Sequence, residues 1–507
     1  MKIKKLIFTM IVGLLAISCS LNEDPPFLSN ESAFATLDNA QSTLDGVYSS
    51  LSGYDYLAFR YHYVINGNSG LFVSGKGNSN KHNDNLTMCS LMPQSNAVDI
   101  ENLWREIYRS IGRANVVIAS VEEVDSPAMP DEFGYNDVLG EAYFIRAYSY
   151  FNLVRLWGDI PLRLEPTNMD NVHLGKTNAK DVYSQIIKDA DMAKKLMFTQ
   201  VDQRPGYPAN LAASMLKAKV YMHLATAAVE LQDSGINYWT SAYDEAKEVY
   251  GNYSLVANYA TLWTAEGGNN TSESIFDVQF NDIQSSNFAR LWTANKATFG
   301  ATWGRIKMNP ENYDLHEAKY PGDQRIAETF ISEYVKTNNG STTKTYPSRT
   351  RTSFANGYPF GYKYWMKDAS NTTGVSNKNY IAYRYADLLL MLAEISNELQ
   401  NGEETGYLSE VLSRVGLTPH ADYANGQDEF RNAIMREYRF ELLGEGQDWF
   451  NNRRRGYQFF KTNIIELHNN APTFKANVDV VLLDNDESVM HLPIPASEIN
   501  TNEEINN

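Results

Sequence analysis

Apolar residues recur at steps of three and four along several long segments, the spacing that places them on one face of an α-helix. The four clearest stripes run from Val138 to Leu156, from Leu211 to Val229, from Tyr385 to Leu399 and from Phe430 to Leu442. The same spacing predicts further helices from Asp99 to Glu123, from Ala179 to Met197 and from Trp239 to Tyr250. The pattern therefore predicts a protein that is mainly α-helical.

Small residues occupy many positions within these stripes, including Ala142, Ala147, Ala213 and Ala218. Small side chains let neighbouring helices approach closely, and this composition is typical of the stacked helix pairs of tetratricopeptide (TPR) repeats. A TPR unit is about 34 residues long, and no clean period of that length is visible along the chain. We therefore expect TPR-like stacking built from degenerate repeats.

The helical pattern is interrupted in two places, between Gly53 and Ala97 and between about Asn252 and Tyr380. Both segments are rich in Gly, Asn, Ser and Thr, and the second contains a strand-like run from Ser274 to Phe280. Long irregular loops on a rigid frame are where binding residues usually lie. We expect a ligand site to be built from these two segments.

The first 18 residues have the features of a secretory signal peptide. Lys2, Lys4 and Lys5 precede an uncharged run from Leu6 to Ile17, which is shorter than the roughly 20 residues that a transmembrane helix needs. The sequence Leu-Ala-Ile-Ser-Cys, which ends at Cys19, resembles a lipobox and predicts lipid attachment at that cysteine. We therefore expect a signal peptide at 1–18, a polar, proline-containing tether at 19–30 and a folded domain at 31–507.

The tether contains two acidic residues, Glu23 and Asp24, close behind the cysteine. An acidic stretch at this position resembles the signal that sends bacterial lipoproteins to the outer leaflet of the outer membrane. We therefore expect a lipid-anchored outer-membrane protein that faces the cell exterior. Cys89 is the only other cysteine, so no intrachain disulfide is expected once Cys19 is acylated.

The chain carries a formal net charge of −17, which argues against nucleic acid as a partner because phosphates would be repelled. A polyanionic ligand is disfavoured for the same reason, unless a local basic pocket exists. Aromatic residues make up 12% of the chain and include 32 tyrosines. Tyrosine combines a flat apolar face with a polar hydroxyl group, which suits contact with a hydrated, hydroxyl-rich ligand.

Motifs for catalysis or cofactor binding are weak in this chain. The run from Gly70 to Gly77 fits a phosphate-binding loop except at its last position, where glycine replaces the hydroxyl residue that would bind magnesium. No histidine pair has the spacing of a zincin helix, and no Gly-x-Ser-x-Gly elbow occurs. We expect no metal, no cofactor and no enzymatic activity. A surface glycoside hydrolase remains the alternative, because 61 acidic residues permit many carboxylate pairs.

Five sequence blocks occur in order along nearly the whole mature chain. They are Trp104 to Ile118, with Trp-x-x-x-Tyr at its start; Gly140 to Leu162, ending in Trp-Gly-Asp-Ile-Pro-Leu; Tyr383 to Glu394, with Arg-Tyr-Ala-Asp; Arg436 to Phe450, with Glu-x-Arg-x-Glu and Glu-Gly-x-x-Trp; and Leu492 to Ile499, with Leu-Pro-Ile-Pro. Together they resemble the SusD/RagB family of outer-membrane lipoproteins. Asn451 and Asn452 depart from the Asp-Leu pair that is common there, and Asn502-Glu503-Glu504 departs from the usual Asn-Pro.

This resemblance implies a SusD-like α/α superhelix of TPR-like helices, with a loop-rich variable region at about 252–380. It also implies that the protein captures an oligosaccharide or polysaccharide and delivers it to a SusC-like, TonB-dependent barrel transporter. The alternative within the family is a lid for peptide or glycopeptide import. Charged residues of the blocks are interpreted as structural, because charges among apolar residues persist by pairing or by capping helix ends. The alternative is a ligand role, because perturbed charge pairs can also mark a functional site. These charged residues are Arg146, Asp159, Arg384, Asp387, Glu437, Arg439 and Glu445.

Glycan capture requires flat aromatic faces that stack on sugar rings, beside side chains that hydrogen-bond to hydroxyl groups. Two clusters meet both requirements, and we expect Trp292 and Trp303 to be the main stacking residues. The alternative for each tryptophan is ordinary packing in the core. The first cluster comprises Phe59, Tyr61, Tyr63, Phe72, Lys76, Asn78 and Asp84. The second comprises Asn287, Trp292, Asn295, Trp303 and Arg305, with Tyr358, Tyr362, Tyr364 and Trp365 further along the variable region.

Overall fold

The computed structural model describes residues 33–75, 82–121, 133–199, 201, 204–264, 267–294, 302–347, 357–365 and 375–506. The expected signal peptide, the lipid-attachment residue Cys19 and the tether lie outside these residues. Within them, helices predominate and the strands are short. The fold is therefore mainly α-helical, as the sequence pattern predicts.

The helices fall into three groups along the chain. The first half contains α1 (Leu37–Leu51), α2 (Arg60–Gly67), α3 (His82–Cys89), α4 (Val98–Val121), α5 (Tyr135–Trp157), α6 (Ala179–Leu196), α7 (Leu211–Thr226) and α8 (Tyr238–Val249). The variable region contains α9 (Ala289–Trp292), α10 (Pro310–Lys319) and α11 (Gln324–Thr329). The C-terminal part contains α12 (Tyr385–Leu399), α13 (Glu404–Arg414), α14 (Gln427–Leu442), α15 (Asp448–Arg454), α16 (Tyr457–Phe460), α17 (Glu466–Asn469) and α18 (Ala496–Thr501).

The strands of the described residues form antiparallel pairs rather than a large sheet. β1 (Phe72–Ser74) pairs with β3 (Ile306–Met308), β2 (Ser274–Val278) with β8 (Tyr380–Arg384), β4 (Phe330–Ile331) with β7 (Phe360–Gly361), and β5 (Glu333–Val335) with β6 (Thr342–Lys344). The pairing of β1 with β3 joins the early irregular segment to the variable region. The two segments predicted to build a ligand site are therefore in direct contact.

Polar side chains mark the starts of several helices. The hydroxyl of Thr36 accepts a hydrogen bond from the N–H of Asn39 at the start of α1 (3.2 Å). The side chain of Asn178 accepts one from the N–H of Asp181 at the start of α6 (3.0 Å), and Asn237 caps α8 in the same way. These bonds satisfy amide groups that have no acceptor within the helix. Local sequence therefore sets where these helices begin.

Consecutive helices pack on one another from α4 through α8. α8 then packs against α12, which contacts α13 and α14. Ala142 on α5 and Ala213 and Ala218 on α7 are fully buried, and small residues at such contacts let helix axes approach closely. The result is the α/α superhelix of TPR-like helices that the family resemblance implies.

The predicted helix boundaries agree with the structure to within a few residues, with two exceptions. α7 ends at Thr226, and Val229 lies in a 3₁₀ turn with 81% of its surface exposed, so it does not belong to the apolar stripe. The structure also contains elements that the sequence pattern does not predict, among them α2, β1 and α3 in the early irregular segment and α1, α10 and α13 elsewhere. α2 is rich in residues of low helix propensity, yet it is buried from Tyr61 to Gly67, so tertiary packing stabilises it.

A network of buried ion pairs joins the variable region to the C-terminal helices. Arg384, the last residue of β8, donates from Nη1 to Glu441 and from Nε to Glu445, both at 2.7 Å. Arg325 of α11 donates to Glu437 (2.7 Å) and to Glu441 (3.0 Å). All five side chains are buried. The Arg-Tyr-Ala-Asp and Glu-x-Arg-x-Glu blocks therefore meet as a structural charge cluster.

Other charged residues of the blocks are paired or cap a helix. Arg146 on α5 donates two hydrogen bonds to Asp189 on α6, at 2.8 and 2.7 Å. Asp387 on α12 forms an ion pair with Lys219 on α7 (2.6 Å). Asp159 accepts a hydrogen bond from the first N–H of α6 (2.8 Å). These contacts connect helices of the superhelix to one another.

Arg439 differs from the other charged residues of the blocks. Its guanidinium is buried, and its Nε has no hydrogen-bond partner in the part of the chain that the structure describes. Burial lowers the pKa of Arg439 to about 10, and the nearby carboxylate of Asp448 opposes this shift. The pairing expected for Arg439 is therefore replaced by a longer-range attraction.

Candidate ligand-binding surface

Three of the predicted ligand residues lie in the core. The side chains of Phe72, Trp292 and Tyr358 are fully buried. Trp292 packs against the backbone of Gly361, and its Nε1 donates a hydrogen bond to the carbonyl of Lys363 (3.2 Å). None of these three rings presents a face to a ligand in this structure, because each is buried in the core. For them the alternative of ordinary packing applies.

A row of aromatic rings lies between the end of α1 and the variable region. Tyr54 stacks on Phe59 with ring centroids 4.8 Å apart and planes at 12°, and Phe59 stacks on Tyr63 at 6.1 Å. The Trp303 ring meets Phe59 edge to face at 5.2 Å. Tyr54 is 45% exposed and Trp303 is partly exposed, whereas Phe59 and Tyr63 are buried. We call these four residues the aromatic row.

Two arginines lie on the aromatic row. The guanidinium carbon of Arg290 is 4.2 Å from the centroid of the Trp303 ring. That of Arg305 is 4.1 Å from the centroid of the Tyr63 ring, and its Nη2 donates to Oδ1 of Asn85 (3.2 Å). Both arginines are partly exposed. Arg290 thus places guanidinium N–H groups beside a partly exposed ring, Trp303, which is the combination that sugar recognition requires, whereas the ring beneath Arg305 is buried.

Backbone hydrogen bonds hold these elements together. The N–H of Asn287 donates to the carbonyl of Ala58 (2.9 Å), which joins the variable region to the early segment. The N–H of Trp303 donates to the carbonyl of Arg290 (2.8 Å). The Asn287 side chain accepts a hydrogen bond from Nη1 of Arg290 (3.4 Å). Irregular backbone is thus fixed around the aromatic row.

A third arginine, Arg60 at the start of α2, is neutralised by carboxylates. It forms ion pairs with Asp55 and Asp99. Its guanidinium carbon lies 5.8 Å from the centroid of the Tyr54 ring. Burial raises the pKa of Tyr54, and the charges of Arg60 and Arg305 oppose this rise. Tyr54 therefore presents a neutral hydroxyl group that can donate and accept hydrogen bonds.

A cavity of about 310 Å³ adjoins the aromatic row at Tyr63. Its lining includes the carboxylates of Asp84 and Asp99 and the amides of Gln94 and Asn96. An aromatic edge beside several carboxylate and amide groups matches a hydroxyl-rich ligand. The row and the cavity together form the candidate ligand-binding surface.

The predicted site residues separate into four groups. Tyr362 and Trp365 are partly buried, and Tyr362 packs against a small apolar cluster that comprises Ala294, Ile331 and Phe360. Tyr61 and Tyr364 are buried. Those that the structure brings together in or beside the aromatic row are Phe59, Tyr63, Asp84, Asn287, Trp303 and Arg305. Those that lie outside the described residues are Lys76, Asn78 and Asn295.

The sequence interpretation missed Tyr54 and Arg290. Tyr54 follows the end of α1, and Arg290 lies in a helix of four residues, which is too short for periodicity to reveal. A local signal did exist, because an arginine stands two residues from Trp292 and another two residues from Trp303, at Arg290 and at Arg305. That spacing allows an arginine to stack on a neighbouring ring, but it does not say which ring is exposed.

Metal coordination and membrane spanning find no support in the described residues. No group of three or more His, Cys, Asp and Glu side chains there is arranged to hold a metal ion. No helix of that part is both long enough and apolar enough to cross a membrane. The chemistry that this surface offers is stacking and hydrogen bonding.

A TPR-like superhelix that supports an aromatic, arginine-bearing surface on its irregular half defines a helical ligand-binding protein. A family model described as the SusD family matches residues 224–507. A second model, described as "Starch-binding associating with outer membrane", matches residues 28–222. The chain belongs to the SusD family.

Known relatives share this fold over most of the chain. SusD-like protein P25 of Formosa agariphila is 25% identical over 433 residues, which cover 77% of this chain and 79% of that protein. The structure of a SusD homolog from Bacteroides thetaiotaomicron matches with a TM-score of 0.78 at 20% identity and covers 92% of this chain and 96% of that one. The structure of a laminarin-binding SusD-like protein matches with a TM-score of 0.67 at 24% identity, and the match covers 92% of this chain and 98% of that one. At these identities, the two structures show that the fold is shared.

Proposed function

We propose that this protein is a cell-surface glycan-binding protein that captures oligosaccharides or polysaccharides and delivers them to a SusC-like, TonB-dependent transporter. The observation that carries the proposal is the stack of Tyr54 on Phe59 beside Trp303, with Arg290 and Arg305 on the same row. Exposed rings offer apolar faces to the C–H surfaces of sugars, and guanidinium N–H groups donate to hydroxyl oxygens. The laminarin-binding relative supports this assignment.

The proposed role is non-catalytic. Asp55 and Asp99, two of the carboxylates beside the aromatic row, form ion pairs with Arg60. Glycoside hydrolysis requires one protonated carboxyl group and a second carboxylate across the scissile bond. Asp55 and Asp99 are held by the guanidinium of Arg60, so they are not arranged as such a pair, and this favours a binding role over hydrolysis. A protein that delivers its ligand to a transporter must also release it. We therefore expect micromolar to millimolar affinity, which corresponds to a binding free energy of roughly 4 to 8 kcal/mol.

Glycan arrays and calorimetry on the purified mature protein test the proposal. The double substitution Tyr54→Ala, Trp303→Ala should weaken binding of the best array ligand at least tenfold without a large fall in Tm. Tyr243→Ala, which removes a partly exposed tyrosine on α8, is the control and should bind normally. Binding to peptides but to no glycan would instead favour peptide import. Turnover of a labelled glycan would favour the hydrolase.

We also propose that a lipid on Cys19 anchors the protein in the outer membrane, facing the exterior, with residues 19–30 as the tether. The description of the second family model, which mentions association with the outer membrane, supports this location. Cys19→Ser should shift the protein out of the membrane fraction, and retention there would contradict the anchor. Delivery requires that the wild-type protein co-purify with a TonB-dependent barrel from detergent-solubilised outer membranes. Failure to co-purify under mild conditions would contradict delivery.

A further inference from the structure

Arg290 and Arg305 differ from Arg60 because neither has an acidic partner among the described residues. Their side-chain hydrogen bonds within the described residues go to neutral amide oxygens, from Arg290 to Asn287 and from Arg305 to Asn85. The Nε atom of each is buried and has no hydrogen-bond partner in that part of the chain. Two positive charges at the ligand-binding surface are therefore left without direct neutralisation.

Stacking has already removed part of the water around these cations. Burial against Trp303 lowers the pKa of Arg290, which means that its charged form is destabilised in the unliganded protein. An arginine side chain nevertheless remains protonated at neutral pH, because its ordinary pKa is above about 12. The unliganded surface thus holds charges that an incoming anion would stabilise.

The chemistry of the ligand follows from this imbalance. A neutral sugar laid over Arg290 and Arg305 would remove more water from the cations and would offer only hydroxyl acceptors in return. A carboxylate or sulfate group would offset the desolvation, because charge-assisted hydrogen bonds are roughly twice as strong as neutral ones. The planar fork of a guanidinium also matches two oxygens of one acidic group. The energy balance favours an acidic ligand.

The other charges near the row do not remove this preference. Asp55 and Asp99 are bound by Arg60, and Asp84 lies exposed on α3 beside the cavity. The whole chain carries a formal net charge of −17, so two unmatched guanidinium groups on one surface are a local exception. A negatively charged protein can still bind an anion at a local basic site, and these two guanidinium groups form such a site.

We propose that Arg290 and Arg305 select glycans that carry an oxyanion, either the carboxylate of a uronic acid or a sulfate ester. This inference rests on the proposed glycan-binding function and narrows its substrate class. Arg290 stacks on Trp303 and Arg305 stacks on Tyr63, so the cations are distributed along the aromatic row. Acidic groups on different sugar residues of one chain would meet them.

Matched pairs of oligosaccharides test the inference on the mature protein. Oligogalacturonides are compared with their methyl esters, chondroitin sulfate oligosaccharides with their desulfated forms, and laminarin oligosaccharides serve as the uncharged set. A glycan array with neutral and acidic members supplies further pairs when another ligand binds better. We expect the best ligand to be acidic and to lose at least tenfold in affinity when it is neutralised. Loss on esterification identifies a carboxylate, and loss on desulfation identifies a sulfate.

Charge-removing substitutions provide the second arm of the experiment. Arg290→Gln and Arg305→Gln should each lower the affinity ratio of acidic to neutralised ligand at least threefold, and binding of the acidic ligand to the wild type should weaken as salt rises. Arg305→Lys keeps the charge and should recover part of the ratio. Lys195→Gln, which removes an exposed lysine from α6, has the same change in net charge and should leave the ratio unchanged.

The possible failures can be told apart. An uncharged best ligand, or a ratio that neither substitution changes, would overturn the preference for acidic glycans and leave glycan binding intact. Absence of binding to every neutral and acidic glycan would contradict the proposed function itself, and the inference with it. Circular dichroism of each variant confirms that a lost signal does not come from unfolding.

Discussion

The guanidinium carbon of Arg290 lies 4.2 Å from the centroid of the Trp303 ring, and the carbonyl of Arg290 accepts a hydrogen bond from the N–H of Trp303 (2.8 Å). The two residues are thus joined through both their side chains and their backbones. This double contact orients a partly exposed indole within a region of few helices. A ring that is already ordered loses less conformational entropy when a ligand stacks on it. The contacts with Arg290 therefore preorganise Trp303 for the sugar stacking that we propose.

Alanine substitutions should distinguish Trp292 from Trp303 by their effects on stability. Trp292→Ala removes a fully buried ring and should lower the free energy of unfolding by about 3 to 5 kcal/mol. Trp303→Ala removes a partly exposed ring and should lower it by about 1 kcal/mol. Urea denaturation of both variants measures the difference. Equal losses of stability would contradict the placement of one ring in the core and the other at the surface.

Removal of the charge of Glu441 should destabilise the buried ion network. Its carboxylate accepts hydrogen bonds from Arg325, Arg384 and Arg414, and these cations hold the pKa of Glu441 well below its usual range. Glu441→Gln keeps the shape but leaves buried cations without their shared anion, which should cost about 3 to 5 kcal/mol. Glu429→Gln, at an exposed position on the same helix, should cost less than about 0.5 kcal/mol. Chemical denaturation at neutral pH compares the two, and similar effects would show that the network does not stabilise the fold.

Lys307 should make stability depend on pH in the alkaline range. Its ammonium lies 4.3 Å from the centroid of the Phe360 ring and has no hydrogen-bond partner among the described residues. Burial lowers the pKa of Lys307 from 10.5 to about 7. Between these values the folded state binds fewer protons than the unfolded chain, so stability rises with pH there. The penalty is complete below pH 7 and disappears as the pH approaches 10.5.

The substitution Lys307→Met should abolish this dependence. At about pH 6 it should raise the free energy of unfolding by a few kcal/mol, since each unit of pKa shift corresponds to about 1.4 kcal/mol. At about pH 10 the gain should be nearly gone. Lys344→Met, on the exposed strand β6, is the control and should show no such trend. A gain that stays constant across this pH range would refute a charge-based explanation.

Gly361 should tolerate no side chain. A Cβ atom at this position would lie 2.4 Å from Cδ1 of Trp292, so Gly361→Ala must displace the indole or separate β7 from β4. We expect a loss of about 1 to 3 kcal/mol. Gly112→Ala in α4 meets nothing within 4 Å and should instead stabilise the helix by about 0.5 to 1 kcal/mol. Thermal unfolding of both variants checks the opposite signs of their Tm changes.

Most of the helical framework could be predicted from the amino-acid pattern. The stripe from Val138 to Leu156 lies within α5, and the stripe from Tyr385 to Leu399 coincides with α12. Helix periodicity is a local property, because residues three or four apart share a face whatever the rest of the chain does. α2 escaped this pattern, since it is short and almost wholly buried and so has no polar face to alternate with an apolar one.

The candidate site could be predicted only in part. The two irregular segments and the residues Trp303, Arg305 and Asp84 were expected to build a ligand site, and they lie in or beside the aromatic row and its cavity, while their contact with a ligand stays a prediction. Trp292 was expected beside them but is buried. Both tryptophans lie in loop-rich sequence next to arginines, so local composition does not distinguish them.

Burial of an aromatic ring depends on partners that are distant in the sequence. Trp292 is covered by Gly361 and Lys363, whereas Trp303 meets Phe59 from the early segment and keeps part of its surface exposed. The amino-acid pattern thus determined which helices form and which family the chain resembles, because those signals are carried by neighbouring residues and by the order of the blocks. Which rings and arginines face a ligand was decided by the tertiary structure, because that depends on long-range contacts such as the pairing of β1 with β3.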